Sequence, residues 1–257
     1  MNIENRKKII EKLKITFLKA GELSLLLRKQ GLTEEIKSDG TPVTNGDLEV
    51  NKIITNNIKE LTSEFPIVSE ESSSNKLNKS LNNYWLIDPI DGTHDYINNR
   101  EEFTLNASLI INNIPEIGII YAPAKRRLFY TYEKNFSFES SNNQEKKLNC
   151  KKVTKEDEVK AVSYSDKLKP IIEDFHKKFK VTSFKKMKSS LKFCVVATGE
   201  YDLYVAEPRA CEWDIAAGHA ILKNAGGIVT DFEGNEILYG KKDFKNPSLI
   251  LKRSNIL

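Results

Sequence analysis

Apolar residues recur at helical spacing near the start of the chain and again further along. Ile10, Leu13 and Phe17 lie three or four residues apart, which predicts an amphipathic helix that packs on a core and ends near Gly31. A second helix is predicted over residues 45–61, where apolar residues again repeat every three or four positions. Both helices should therefore bury one face and expose the other.

Short runs of β-branched and aromatic residues predict strands in the middle of the chain. Residues 65–68 and 84–87 are predicted as two short buried strands, and the polar stretch 72–83 between them predicts a loop. Further strands are predicted at 103–111, 116–121, 127–132 and near 136–139, with a turn at 112–115.

Strands and helices alternate in the second half of the sequence, an order typical of strands covered by helices. Strands are predicted at 160–164, 181–186, 201–205 and 228–231, and helices at 166–179, 189–198 and 214–225. The stretch 140–158 is polar, so we place a boundary there within one unit that spans residues 1–257. The first lobe would cover about residues 1–150 and the second about 151–257.

The composition is that of a globular chain. Apolar residues make up 39% and charged residues 30% of the 257 positions, and no apolar run is long enough to span a bilayer. The net charge of +4 does not indicate a nucleic-acid polymer as partner, but it favours a small anionic substrate. Three cysteines without paired spacing argue against a disulfide framework. Because the charged N-terminus is unlike a signal peptide, we expect a cytoplasmic protein.

Four carboxylates are predicted where strands end or helices begin. Glu70, Asp88 and Asp91 follow two predicted strands, and Asp214 opens a predicted helix. Each acid alone could be only a turn residue or a helix cap. On the rims of rigid elements they could instead converge on one point, where a divalent cation such as Mg²⁺ would offset their repulsion.

The segment from Asp88 to Thr93 has further groups suited to a metal and a phosphate. Pro89 is expected to fix a turn that points both acids of the segment into one cleft, and the carbonyl of Ile90 could be a neutral metal ligand. Gly92 would let the backbone approach a phosphate closely, so that its N–H and that of Thr93 could hold phosphate oxygens at a short helix start.

Two longer strings resemble the signatures of one family. Residues 85–93 (WLIDPIDGT) resemble the first signature of the inositol monophosphatase superfamily, and residues 212–227 (EWDIAAGHAILKNAGG) resemble the second. Residues 69–71 match its metal glutamate segment, and residues 41–47 are similar to an upstream segment that ends in an aspartate. The resemblance runs along the whole chain and implies an α/β (layered α+β) fold, a two-lobed α-β-α-β-α sandwich with the site between the lobes.

Shorter strings indicate a subfamily. Residues 189–194 (SSLKFC) and 103–106 (FTLN) look most like the CysQ-type 3′(2′),5′-bisphosphate nucleotidases, which hydrolyse adenosine 3′,5′-bisphosphate to AMP and phosphate. Two strings depart from the family pattern: Asn45-Gly46 replaces a pair of small residues, and residues 94–96 (HDY) replace a Lys-Glu-Phe type sequence. Both departures concern loop shape more than metal ligands.

The resemblance implies metal roles for the four acids. Glu70, Asp88 and the Ile90 carbonyl would hold one Mg²⁺, and Asp88, Asp91 and Asp214 a second. A third, looser ion would contact Glu70 and waters. Two ions close together can activate a water and stabilise the leaving oxygen of a phosphate ester.

Other residues acquire catalytic or substrate roles by the same resemblance. Thr93 would orient the attacking water, with its hydroxyl held by Asp47, although Asp47 could be only a helix cap. Lys192 is expected at a second phosphate or the nucleotide, and the alternative is a solvated helix lysine. Arg209 and Glu212 are expected to line the pocket. The full set of predicted substrate contacts is Glu70, Asp91, Gly92, Thr93, Ser189, Lys192 and Asp214.

Alternatives to this function remain open at the level of sequence. The same chemistry could act on inositol monophosphate or another sugar phosphate, because pocket residues rather than metal ligands choose the substrate. A non-catalytic, metal-dependent binding protein is the competing class, although such a protein has no use for a positioned water. Dimers are common in the family that the chain resembles, so a homodimer is an expectation, as is peripheral attachment to the inner membrane. We expect His94 at the surface and His219 and Cys194 in packing roles.

Overall fold

Two β-sheets, of seven and five strands, organise the chain in the computed structural model, which describes residues 1–38, 40–72, 81–142, 144–150 and 158–254. The helices are α1 (Ile3–Gln30), α2 (Asn45–Leu61), α3 (Thr93–Ile97), α4 (Pro170–Lys178), α5 (Leu191–Ala197) and α6 (Glu212–Asn224). The strands are β1 (Glu34–Ile36), β2 (Pro42–Thr44), β3 (Ile67–Ser69), β4 (Tyr84–Asp91), β5 (Thr104–Ile111), β6 (Ile114–Ala122), β7 (Arg127–Glu133), β8 (Phe136–Ser141), β9 (Gln144–Lys147), β10 (Val159–Ser163), β11 (Val181–Lys186), β12 (Leu203–Ala206), β13 (Ile228–Thr230) and β14 (Leu249–Lys252). Strands β1 and β2 form a separate hairpin.

The seven-stranded sheet is covered by helices on both faces. Its strands follow chain order from β3 to β9, and only the β3–β4 pair is parallel. Apolar residues of α1 and α2, such as Phe17 and Ile54, are fully buried against one face. On the other face α6 packs closely on β6: a Cβ at Gly118 would lie 2.5 Å from the carbonyl oxygen of Ala217, so glycine is required there.

The five-stranded sheet has the order β11-β10-β12-β14-β13. One large core, which includes residues of α5 and α6, fills the space between the two sheets. A smaller core on the outer face of the second sheet includes Ile172 of α4 beside Leu203 and Val205 of β12. The layers are therefore helix, sheet, helix, sheet and helix, and the predicted α-β-α-β-α sandwich is confirmed.

The helices agree with the sequence prediction except at some ends. α1 stops before Gly31, whose φ of 104° lies in the left-handed region that favours glycine. α2 has the predicted bounds of 45–61. α4 was predicted from residue 166 but begins at Pro170, because proline is favoured at the first helical position and the residue before it stays extended.

The strand predictions need four corrections. β3 begins at Ile67 rather than at residue 65, and β4 continues through Pro89 to Asp91 instead of turning. β9 was missed because its residues are all polar and exposed. β14 was also missed, although it pairs with both β12 and β13 in the interior of the second sheet.

The predicted loop and lobe boundary lie partly outside the described residues. Of the loop at 72–83, residues 73–80 are outside them, as are residues 143 and 151–157 of the polar stretch 140–158. Each sheet uses strands from one side of residue 150, but the division into two lobes stays a prediction. In the part of the chain that is described, every helix is too short or too polar to cross a bilayer.

Candidate active site

Three of the predicted acids come together from separate elements. Glu70 lies just after β3, Asp88 in β4, and Asp214 in the first turn of α6, and one carboxylate oxygen of each lies within 4.8 Å of the others. Backbone contacts hold two of them: the Glu70 N–H donates to the Ile87 carbonyl at 3.0 Å, and Asp214 Oδ2 accepts from the Cys211 N–H at 2.8 Å. Asp214 is thus a helix-capping residue and a member of this acid cluster at once.

A β-bulge in β4 puts Asp88 and Asp91 on the same face of the sheet. Asp88 pairs with Asn106 and Asp91 with Thr104, so three steps along β4 oppose two along β5. Residues three apart in a regular strand would face opposite sides. Because paired residues share a face, the extra residue brings both acids to one side. The predicted turn at Pro89 was wrong, yet the bulge achieves the same convergence.

Burial and mutual repulsion disfavour ionisation in this cluster. Burial raises the pKa of Asp88 well above its ordinary value, and the charges of Glu70, Asp91 and Asp214 raise it further. Burial also raises the pKa of Asp214, and Asp91 and Glu70 add to the effect. Asp88 Oδ1 is buried without a hydrogen-bond partner among the residues described. An all-oxygen set of this kind fits a hard divalent cation, whose charge would offset both costs.

Asp91 lies beside the acid cluster and is held by a serine. Ser190 Oγ lies 2.7 Å from Asp91 Oδ2 and 2.6 Å from the carbonyl oxygen of Asp214. Burial raises the pKa of Asp91, although the nearby Lys192 ammonium and the Ser190 hydrogen bond act in the opposite direction. Ser190 therefore ties the end of β4 to the start of α6.

Lys37, a residue that sequence reasoning did not select, faces the acid cluster from the β1–β2 hairpin. Its Nζ lies 3.2 Å from Glu70 Oε1 and 2.6 Å from Glu71 Oε1. Burial raises the pKa of Glu70, and Lys37 partly opposes that rise. Its position follows from pairing between distant segments, so the local sequence gives no signal for it.

The predicted pair of Thr93 and Asp47 is within hydrogen-bonding distance. Thr93 Oγ1 lies 3.2 Å from Asp47 Oδ1 and 3.1 Å from the carbonyl oxygen of Ile90. Asp47 Oδ2 accepts from both the N–H and the hydroxyl of Thr44, at 2.8 and 2.6 Å. Asp47 therefore caps α2 and contacts Thr93 with different oxygens.

Gly92 connects the bulge of β4 to α3 in a conformation that few other residues adopt. Its φ is 95°, and a Cβ there would lie 3.0 Å from the carbonyl oxygen of Glu102. A side chain would therefore be strained by both backbone conformation and space. This places the backbone N–H of Thr93 directly after the acids.

Lys192 and Ser189 line a cavity of about 110 Å³ next to the acids, together with Asp91, Asp214 and Arg209. The Lys192 ammonium donates to the carbonyl oxygen of Ser189. Burial lowers the pKa of Lys192 to about 8, against the opposing effect of Asp91. Only 7% of Lys192 is exposed, so the alternative of a solvated helix lysine is wrong.

Arg209 lines this cavity as expected, whereas Glu212 does not. Glu212 is fully buried, and it accepts hydrogen bonds from the Tyr84 hydroxyl at 3.1 Å and from the N–H groups of Gly240 and Lys241 at 2.9 Å each. The expected pocket role of Glu212 was therefore wrong, and the residue fastens the start of α6 to the 240–241 segment instead.

The residues left out of the site are placed as predicted. His94 has 76% of its side chain exposed. His219 is buried beside Tyr239, and burial lowers its pKa to about 3, so it stays neutral. Cys194 lies in the core, and all three cysteines are free thiols.

Comparison with known proteins identifies a family. Residues 5–255 match the inositol monophosphatase family. The chain is 36% identical over 204 residues to the 3′(2′),5′-bisphosphate nucleotidase CysQ of Buchnera aphidicola subsp. Acyrthosiphon pisum, covering 79% of this chain and 76% of that protein. It is 30% identical over 240 residues to the protein of the same name from Aggregatibacter actinomycetemcomitans, covering 90% and 88%.

Solved structures of similar fold agree with this assignment. CysQ from Bacteroides thetaiotaomicron, described as a bacterial member of the inositol monophosphatase family, superposes with a TM-score of 0.79 at 28% identity, over 98% of each chain. The IMPase of Thermotoga maritima superposes with a TM-score of 0.73 at 25% identity, over 94% of this chain and 90% of that one.

Proposed function

The chain belongs to the inositol monophosphatase family, and from that premise we propose that it hydrolyses adenosine 3′,5′-bisphosphate to AMP and phosphate with the help of Mg²⁺. The convergence of Glu70, Asp88 and Asp214 within 4.8 Å carries the proposal. The two relatives named above as 3′(2′),5′-bisphosphate nucleotidases, which match most of this chain, support the choice of substrate.

Two or three Mg²⁺ ions would bind at the acid cluster. Glu70, Asp88 and the Ile90 carbonyl would hold one ion, Asp88, Asp91 and Asp214 a second, and Glu70 a looser third. When bound, the ions supply positive charge for the phosphate oxygens and lower the pKa of a bound water. The buried, unpartnered Asp88 Oδ1 supports this donor set.

Thr93 and Asp47 would orient the attacking water. A threonine hydroxyl has one hydrogen, and donation to Asp47 Oδ1 leaves an oxygen lone pair free to accept a hydrogen from water. Asp47 keeps its direction because Thr44 holds the other carboxylate oxygen. The water is thereby aimed, and a covalent phospho-enzyme is not required.

The substrate would lie between the acids and the cavity beside them. Its scissile phosphate would contact Glu70, Asp91, Gly92, Thr93 and Asp214. Lys192 and Ser189 would face the second phosphate or the nucleotide, since they line the adjoining cavity. A cation aimed into a small cavity suits an anionic group better than the neutral ring of an inositol ester.

The decisive experiment compares phosphate release from adenosine 3′,5′-bisphosphate and from inositol 1-phosphate, each with Mg²⁺ and with EDTA. We expect EDTA-sensitive release that is at least about tenfold faster from the nucleotide, a difference of about 1.4 kcal/mol in transition-state stabilisation. Faster release from the inositol ester would overturn the substrate and keep the metal mechanism. Binding of Mg²⁺ without release from either ester would favour the non-catalytic class.

A matched pair of variants tests the metal site in the same assay. Asp214→Asn should lose activity at saturating Mg²⁺, whereas Asp174→Asn, at an exposed acid of α4 paired only with Lys177, should not. Full activity of Asp214→Asn would show that the metal site is misassigned. The homodimer, cytoplasmic location and peripheral membrane attachment stay predictions.

A further inference from the structure

Three cations crowd around one tyrosine at the mouth of the cavity beside the acids. Lys188 Nζ and Arg209 Cζ each lie 3.3 Å from the ring centroid of Tyr164, and Lys192 Nζ lies 5.9 Å from it. Tyr164, Lys192 and Arg209 all line the cavity that also contains Asp91. Positive charge is thus concentrated on the wall that faces away from the acid cluster.

These cations lack the carboxylate partners that their neighbours have. Lys169 and Lys186 form salt bridges with Glu207 at 2.6 Å and Asp166 at 2.8 Å. Within the described ranges, Lys188 and Arg209 form no such bridge and rest on the Tyr164 ring instead. Like charges held close together without a counter-charge repel one another, so an anion bound between them would be stabilised.

The backbone fixes where these side chains start. The Lys188 N–H donates to Glu102 Oε2 at 2.9 Å, and the chain then turns through Ser189, whose φ is 53°. Because of this turn, Lys188 at the end of β11 and Lys192 in α5 reach the same ring although they belong to different elements. Two flexible side chains are therefore held near their working positions before any ligand binds, which reduces the entropy cost of binding.

We propose that Lys188 and Arg209, gathered on Tyr164, bind the substrate phosphate that is not hydrolysed and so select esters with two phosphates. This inference rests on the proposed function, because it places the other phosphate at the acid cluster. A guanidinium and an ammonium side by side can donate several hydrogen bonds to phosphate oxygens. A substrate with a single phosphate would leave this cationic clamp empty and gain nothing from it.

The test measures kcat and KM of the full chain with Mg²⁺ on adenosine 3′,5′-bisphosphate and on adenosine 3′-phosphate, which lacks the second phosphate. Lys188→Ala and Arg209→Ala should each lower kcat/KM for the bisphosphate by roughly tenfold or more, mainly through KM, as expected for loss of one charge-assisted hydrogen bond. Hydrolysis of adenosine 3′-phosphate should change by less than about twofold, since no hydrogen bond to the clamp is lost. The matched control is Lys185→Ala, at an exposed position of β11.

Inhibition by the product gives a second readout that does not depend on turnover of the bisphosphate. AMP keeps the phosphate that the clamp would bind, so its inhibition constant should rise about tenfold in both variants, and Arg209→Lys should restore part of the affinity. Equal losses on the two substrates, or an unchanged inhibition constant for AMP, would overturn the clamp alone. A wild-type chain that cleaves only monophosphates would overturn the proposed function and the clamp with it.

Discussion

The hydroxyl oxygen of Thr93 lies 3.2 Å from Asp47 Oδ1, although the two residues are 46 positions apart and belong to α3 and α2. Asp47 also completes the N-terminal cap of α2 through Thr44. One carboxylate thus joins the stability of a helix to the aim of a catalytic group. The two roles use different oxygens, so they can be separated by substitution.

Thr93→Val should abolish most activity while leaving the fold intact. Valine keeps the shape of threonine but lacks the oxygen that would orient water, so we expect kcat to fall at least about a hundredfold. Thr93→Ser keeps the hydroxyl and should retain most of the activity. Steady-state kinetics and thermal melts of both variants provide the check, and an active Thr93→Val would exclude the water-positioning role.

Asp47→Asn should cost both activity and stability. The amide removes the negative charge near the start of α2 and weakens a capping interaction, which typically contributes about 1 kcal/mol. It also weakens the acceptor for the Thr93 hydroxyl. Thr44→Ala provides the matched control, because it damages the cap and leaves the contact between Asp47 and Thr93 available. Asp47 would be only a cap if both variants lost stability and neither lost activity.

The fold was largely predictable because its layers depend on periodic burial. The apolar repeats of α1 and α2 gave their bounds to within a few residues or better. β9 could not be found, since an exposed edge strand has no apolar alternation. The bulge in β4 was also hidden, because only the pairing with β5 reveals that one residue is extra.

The candidate site was predictable where its residues belong to local strings and not where distant segments meet. The order of Asp88, Asp91 and Thr93 along the chain was informative by itself. Lys37 and Tyr164 face the site only because of how the hairpin and the second sheet dock, and no local string marks them. Glu212 was misjudged because a charged residue beside Asp214 is ordinarily exposed, whereas here four groups satisfy it.

Metal-free protein should become less stable as the pH rises from about 5 to about 7.5, a window between the ordinary carboxyl pKa and the ordinary lysine range. Asp88, Asp91 and Asp214 have pKa values raised mainly by burial, so the folded state binds more protons than the unfolded state there. Stability is then full at low pH and is lost as the pH rises through the raised pKa values. Thermal melts in EDTA test this.

Saturating Mg²⁺ should flatten or reverse that pH dependence, because a cation binds the ionised acids and competes with protons. The same melts with Mg²⁺ provide the comparison. Identical slopes in EDTA and in Mg²⁺ would contradict a metal site at these acids. The opposing effect of Glu145 and Glu200, whose pKa values are lowered, acts at more acidic pH and stays outside the window.

Lys37→Met should weaken the metal-free protein and strengthen its response to Mg²⁺. The ammonium of Lys37 contacts Glu70 and Glu71, so its loss leaves two nearby carboxylates without a counter-charge. We expect the melting temperature in EDTA to fall by about 2–4 °C, which corresponds to roughly 1 kcal/mol for a chain of this size. The increase caused by Mg²⁺ should be larger than in the wild type, because one competing cation has been removed. Lys59→Met, at an exposed lysine of α2, is the control; equal behaviour of the two variants would disprove the role of Lys37.

Asp88→Asn should make the metal-free protein more stable and unresponsive to Mg²⁺. Asp88 is the most crowded acid of the cluster, with only 1% of its surface exposed and Glu70, Asp91 and Asp214 all raising its pKa. A neutral amide of the same shape removes that repulsion, so the melting temperature in EDTA at pH 7.5 should rise by about 2–4 °C or more. The ligand that two metal positions would share is then gone, and the increase on adding Mg²⁺ should disappear along with activity. A variant that melts lower than the wild type in EDTA, or that still gains stability from Mg²⁺, would mean that Asp88 has a structural rather than a metal-binding role.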